Sequence, residues 1–128
     1  VGSGNWGSAI ARIIGRNVTE QEGFEHEVRQ WVYPEKVLHG GKEACLTEVI
    51  NTEHENVKYL PGVKLPGNVR AVGDLALAVR DATVLVFVLP HQFLGRVLPT
   101  IAEALGLGQD KVGGAPPGRR IRAVSLIK

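Results

Sequence analysis

Apolar positions follow two different periods along this chain, one helical and one extended, and they exchange at regular intervals. From residue 5 to about residue 15 the period is helical, with Trp6, Ile10, Ile13 and Ile14 on one face and with Gly15 and Asn17 as stop signals. A polar loop with four glutamates follows over residues 19–27, and the run 28–33, closed by Pro34, predicts a strand. Residues 34–41 read as turns and 43–50 as a short amphipathic helix that half-buries Cys45. Residues 50–62 show no period and read as an ordered loop, in which His54 has no metal-like partner and makes a hydrogen bond or faces solvent. A short strand at 69–72 leads to Asp74, a good N-cap for a helix through about Arg80. The run 83–89 is continuously apolar, as expected of a central parallel strand covered on both faces, and Pro90 ends it. A helix at 93–105, a Gly- and Pro-rich surface insertion at 106–120 and a last strand at 121–127 complete the reading, with Lys128 at that strand's carboxyl end.

Strands alternating with helices at these lengths imply βαβ units with right-handed crossovers. The expected fold is α/β, a doubly wound parallel sheet of the Rossmann type forming one domain over residues 1–128. In such sheets ligands bind beyond the carboxyl ends of the strands. The first seven residues, Val1-Gly2-Ser3-Gly4-Asn5-Trp6-Gly7, place a G-x-G-x-x-G at the start of the first helix. Gly2 would allow the tight turn, Gly4 the approach of a pyrophosphate and Gly7 close helix–sheet packing. The diphosphate would then lie on the helix N-terminus, where unpaired N–H groups and the helix dipole favour an anion without any lysine. Val1 would be the last residue of the preceding strand, so the domain is expected to be truncated at its first strand.

Composition narrows the ligand class. A net charge of +2 with mixed signs argues against a surface built for nucleic acid or membrane and for a small molecule. The basic residues Lys111, Arg119, Arg120 and Arg122 gather around the expected insertion and read as a solvated loop. One cysteine cannot form an internal disulfide, which permits a reducing compartment. No apolar run approaches the ~20 residues that span a bilayer.

Where an acidic residue commonly holds the ribose, the strand tip here carries Tyr33, with Glu35 two residues on. Tyr33 is placed to stack on adenine or to stand as an amphipathic strand-end residue, and Glu35 to reach a ribose hydroxyl or to face solvent. At the end of the central strand, Phe93 either packs against a cofactor or begins the core face of its helix, while His91 or Gln92 helps to cap that helix.

Residues 2–11, Trp31-Val32-Tyr33, the run 50–61, Leu89-Pro90-His91-Gln92-Phe93 and Ser125-Leu126-Ile127-Lys128 together resemble the NAD-dependent glycerol-3-phosphate dehydrogenases of the eukaryotic cytosolic kind. The resemblance implies that Gly2, Ser3, Gly4, Asn5, Trp6 and Gly7 cradle the pyrophosphate of NAD and that Tyr33, where the family usually has phenylalanine, and Phe93 contact the cofactor. It implies that Lys128 binds substrate. The implied reaction is reversible hydride transfer between NADH and dihydroxyacetone phosphate, giving glycerol 3-phosphate, in a cytoplasmic homodimer with no nucleic-acid or membrane partner and no metal. In this family a helical domain that would follow Lys128 supplies the principal acid/base lysine and the substrate phosphate site, so no catalytic residue is expected within these 128 residues. The insertion at 106–120 departs from the family's shorter link. A different class of function, a dinucleotide-binding sensor without catalysis, shares the same glycine turn.

Overall fold

The computed structural model describes residues 1–107 and 120–127. The expected insertion lies mostly outside these residues, as does Lys128. The elements are α1 (Asn5–Glu20), β1 (Val28–Trp31), β2 (Lys36–His39), β3 (Lys42–Cys45), α2 (Leu46–Glu53), β4 (Val69–Val72), α3 (Leu75–Val79), β5 (Val84–Phe87), α4 (Leu94–Ala104) and β6 (Arg122–Ser125), with a 3-10 turn at His91–Phe93.

The strands of the α/β layer pair in parallel, β1 with β4 and β5 with β6. Val1 runs along β5 and its extension, its nitrogen donating to Val86 O at 2.7 Å and its carbonyl accepting from Val88 N at 2.9 Å. Successive strand residues point to opposite faces, and this alternation separates two cores. Val32 and Ala71 join Leu46, Ile50 and Leu65 under α2, whereas Trp31 packs with Val79, Leu85, Phe87, Leu89, Val97, Ile101 and Leu105 under α3 and α4. Helices therefore cover both sheet faces, as a doubly wound fold requires.

Several local expectations are corrected. Residues 36–45 form an antiparallel hairpin where turns and the start of a helix were expected. Gly40 and Gly41, both at positive φ, supply the two-residue turn that such a hairpin prefers, and Cys45 ends its second strand instead of lying inside α2. In β5 the buried residues are Leu85 and Phe87, while Val84 is exposed and Val86 half-buried, so this strand is fully covered on one face only.

Helix α1 runs through Gly15 to Glu20 instead of stopping there, and its buried face is Gly7, Ser8, Ala11 and Gly15. Trp6 and Ile13, expected on the apolar face, are exposed. Close approach explains both results. A Cβ on Gly15 would stand 2.6 Å from Val69 Cγ2 and 3.3 Å from Pro66 Cγ, so the smallest residues face the sheet and the large ones are turned away.

Two ends match their signals. Asp74 caps α3 by accepting from Leu77 N at 3.1 Å. At the far end of α4, Gly106 takes a positive φ, with Gly106 N donating to Glu103 O at 3.1 Å and Leu107 N to Ala102 O at 2.8 Å. That pair of bonds is a Schellman stop.

Gly15→Ala sets two effects against each other. Helix propensity favours alanine by about 1 kcal/mol, while forcing a methyl against the buried Val69 costs about 1–3 kcal/mol. Packing is expected to win, so the variant should show a lower urea midpoint at unchanged m-value.

Candidate functional site

Immediately after Val1 the backbone turns at Gly2, where φ +121° and a Cβ position only 2.5 Å from Val88 O both require glycine. Gly7 closes against the same turn, since its Cβ would meet Gly2 O at 2.6 Å. Gly4 differs from both. A Cβ on it would meet nothing within 4 Å, and that open side is the outer face of the turn.

Two buried amide side chains fix which way the turn faces. Gln30 donates from Nε2 to Gly2 O at 3.0 Å, and Asn56 donates from Nδ2 to Ser3 O at 2.9 Å and to Ser8 Oγ at 2.9 Å. Both are nearly inaccessible, at 3% and 0% exposure, so these bonds are shielded from water. A trans peptide plane points its N–H opposite to its C=O. Drawing the carbonyls of Gly2 and Ser3 inward therefore turns the N–H groups of Ser3 and Gly4 outward. The first amides of α1 join them, because the first turn of a helix has no backbone acceptors and no described side chain caps this one. The result is a cluster of N–H donors at the positive end of a 16-residue helix dipole, with no acidic residue in the first turn.

Around this cluster of donors stand the other groups named from sequence. Trp6, 61% exposed, forms one wall of a cleft of about 310 Å³ together with Val88, Leu89, Pro90, His91, Gln92, Leu126 and Ile127, beyond the carboxyl ends of β5 and β6. Phe93 follows directly and is 41% exposed, so it is not a core residue of α4. No capping bond from His91 or Gln92 is found among the described residues; the turn closes through Phe93 N to Pro90 O at 3.0 Å. Tyr33 projects from the tip of β1 at 65% exposure, with its ring edge-on to Trp31 at 6.2 Å between centroids. Trp31 is itself anchored by Nε1 donating to Gly73 O at 3.1 Å. A larger cleft of about 450 Å³, lined by Glu27, Asn51, His54, Asn68 and Arg70 among others, opens at the amino ends of β1 and β4, the end at which such sheets do not take ligands.

The unperiodic stretch between α2 and β4 proves to be the site's second wall. Besides Asn56, Tyr59 accepts at its carbonyl from Asn5 Nδ2 at 3.0 Å and donates its hydroxyl to Glu35 Oε2 at 3.1 Å. Glu35 also faces Lys58 Nζ at 2.8 Å. The Glu35 carboxylate, through its hydrogen bond, holds the Lys58 ammonium above the usual lysine range, with a further contribution from Tyr59. Glu35 is thus engaged by two side chains and does not simply face solvent. His54 takes a left-handed backbone at the end of α2, and its Nδ1 is buried with no described partner. Among the described residues no three His, Cys, Asp or Glu side chains come together, and no described helix is long and apolar enough to cross a membrane.

Gln30 was detectable from sequence, because the strand's alternation puts this polar residue on the same face as Val28 and Val32. Asn56 and Tyr59 carried no such signal. Their partners lie about fifty residues away and only folding brings them together.

Three comparisons bear on this geometry. The family model for the N-terminus of NAD-dependent glycerol-3-phosphate dehydrogenase matches residues 1–115. The cytoplasmic glycerol-3-phosphate dehydrogenase [NAD(+)] of Homo sapiens is 58% identical over 127 residues, covering 94% of this chain and 35% of the relative. The human glycerol-3-phosphate dehydrogenase 1-like protein is 54% identical over 128 residues, all of this chain and 32% of its own length. A solved glycerol-3-phosphate dehydrogenase of Saccharomyces cerevisiae superposes with a TM-score of 0.80 at 40% identity, covering 99% of this chain and 32% of that one. The chain thus spans about a third of the length of the relatives it matches.

Asn56→Ala removes two donors from the turn and the acceptor that takes Tyr59 N at 3.0 Å, leaving buried groups unpaired. A loss of about 1–3 kcal/mol is expected. Hydrogen exchange should rise selectively at Ser8 N, which donates to Gly4 O at 3.0 Å, and at Tyr59 N, which loses its acceptor, read against the amides of α4 as an internal reference.

Proposed function

This chain belongs to the family of NAD-dependent glycerol-3-phosphate dehydrogenases, and from that premise we propose that residues 1–128 are its cofactor domain, binding NAD(H) for the reversible interconversion of dihydroxyacetone phosphate and glycerol 3-phosphate. The observation that carries the binding half of the proposal is the set of outward-facing amides at Ser3, Gly4 and the first turn of α1, whose inward carbonyls are held by Gln30 and Asn56.

The residues present fit this cofactor. A pyrophosphate accepts hydrogen bonds from the turn where Gly4 leaves open space, Tyr33 offers an exposed ring to adenine at the tip of β1, and the cleft of Trp6, Pro90 and Ile127 offers an apolar wall to the far half of the dinucleotide. Phe93, exposed at the same rim, is the second aromatic contact in this reading. When bound, the nicotinamide supplies or accepts the hydride. The chain's own task is to orient it and to exclude water from one side. Lys128, following β6, is proposed to bind the oxygens or phosphate of the substrate.

No acid/base residue is proposed within residues 1–128, and no substrate phosphate site beyond Lys128. Cytoplasmic residence, as the relatives' names state, a homodimer, and an absence of nucleic-acid, membrane and metal partners complete the proposal. The sensor alternative has no observation in its favour.

Gly4→Val gives a clean test. With φ −67° and empty space at its Cβ position, residue 4 accepts a side chain without strain in the protein, yet that side chain would occupy the pyrophosphate's place. The variant should keep the parent's circular dichroism and urea midpoint while its NAD(H) affinity falls at least a hundredfold by calorimetry. Equal affinities for parent and variant would remove the glycine turn from the site.

A further inference from the structure

We propose that Glu35, by pairing with Lys58, sets the preference of this domain for NAD over NADP. The proposal rests on the cofactor reading given above and adds to it two residues that act on the ribose 2′ position.

Tyr59 supplies the position. Its carbonyl is bound by Asn5 at the start of α1 and its hydroxyl by Glu35 beyond the tip of β1, so one tyrosine spans from the anion seat to the carboxylate. In dinucleotide sites of this fold the ribose adjoins the diphosphate, and its 2′-hydroxyl comes to the end of the strand that follows the glycine helix. Here that end continues as Tyr33-Pro34-Glu35. Glu35 is anchored as well by its backbone, whose carbonyl accepts from Leu46 N at 2.9 Å.

Charge supplies the function. Two cations stand near this tip, and each has a carboxylate partner. Lys36 lies 3.7 Å from Glu43, with both side chains about 70% exposed, a pair that solvent weakens. Lys58, its side chain 46% exposed, lies 2.8 Å from Glu35, whose side chain is 21% exposed, and its Nζ also sits 5.0 Å from the centre of the Tyr59 ring. Lys58 is therefore the better-held cation. A 2′-phosphate arriving at this place would meet the Glu35 carboxylate and would have to compete with it for Lys58. A 2′-hydroxyl has neither difficulty. Selection here is repulsive, a form of specificity that costs the favoured ligand little.

Glu35→Gln keeps an oxygen for the Tyr59 hydroxyl and the backbone bond to Leu46, removes the repelling charge and releases Lys58. Lys58→Ala does the reverse, leaving the carboxylate unneutralised. Calorimetric titration of the parent, both single variants and the double variant with NAD+ and with NADP+ at low ionic strength reads the ratio of the two dissociation constants. Glu35→Gln should shift that ratio toward NADP by at least tenfold, Lys58→Ala should shift it toward NAD, and the double variant should lose most of the gain. A ratio unchanged by Glu35→Gln in a protein that still binds NAD would overturn the proposal, as would a double variant that keeps the whole gain. Should Glu35→Gln fail to fold by circular dichroism, an unchanged ratio in Lys58→Ala overturns it alone. A parent that binds neither cofactor would instead sink the cofactor reading, and this proposal with it.

Discussion

A backbone turn can bind an anion only if its N–H groups face the ligand, and a flexible glycine-rich segment has no intrinsic reason to prefer that orientation. In this chain the preference comes from behind. Gln30 and Asn56, both buried, draw the carbonyls of Gly2 and Ser3 into the protein, and the rigidity of the peptide plane does the rest. Ser8 ties the two amides together, since its hydroxyl lies within 2.9 Å of Asn56 Nδ2 and 3.4 Å of Gln30 Nε2. The turn is thus held by the protein's own buried hydrogen bonds, and such bracing lowers the cost of ordering a site on binding.

The same small group couples distant parts of the sequence. Gln30 belongs to β1, Asn56 to the segment after α2, and Ser8 to α1, so the geometry of the turn depends on the packing of all three. Gly7 and Gly15 make that packing possible by letting α1 lie close to the sheet, with Val69 and Pro66 beneath Gly15 and the Gly2 backbone beneath Gly7. Exposure of Trp6 follows from the same rotation of the helix, and places its indole at the cleft instead of in the core.

Much of this was legible in the sequence, for physical reasons that differ between elements. Strand β4 and the Asp74 cap are specified by neighbours within a few residues, and each matches its local signal, whereas the glycine turn is marked locally by Gly2 and Gly7 but oriented by Gln30 and Asn56 from far along the chain. The doubly wound architecture follows from the order of strands and helices. The extent of α1 was not legible, because the stop signals at Gly15 and Asn17 are overridden by contacts to residues 66–69, far along the chain. The hairpin of β2 and β3 was hidden in a short alternation around Gly40-Gly41, and the half-exposed face of β5 depends on which helices cover it. At the site, Tyr33 and Phe93 could be placed at strand ends, with Phe93 open between a cofactor contact and the core of its helix, but the engagement of Glu35 by Lys58 and Tyr59 exists only in three dimensions.

The central claim is that these amides form the anion seat of a dinucleotide site. Amide-resolved NMR titration of the chain with NAD+ tests it most directly, because it maps the ligand without assuming where it binds. The largest shifts are expected at the N–H groups of Ser3, Gly4, Asn5 and Trp6, accompanied by the Tyr33 ring and the Trp6 indole. Shifts confined to the larger cleft around Glu27, Asn68 and Arg70, with the glycine turn unmoved, would contradict it.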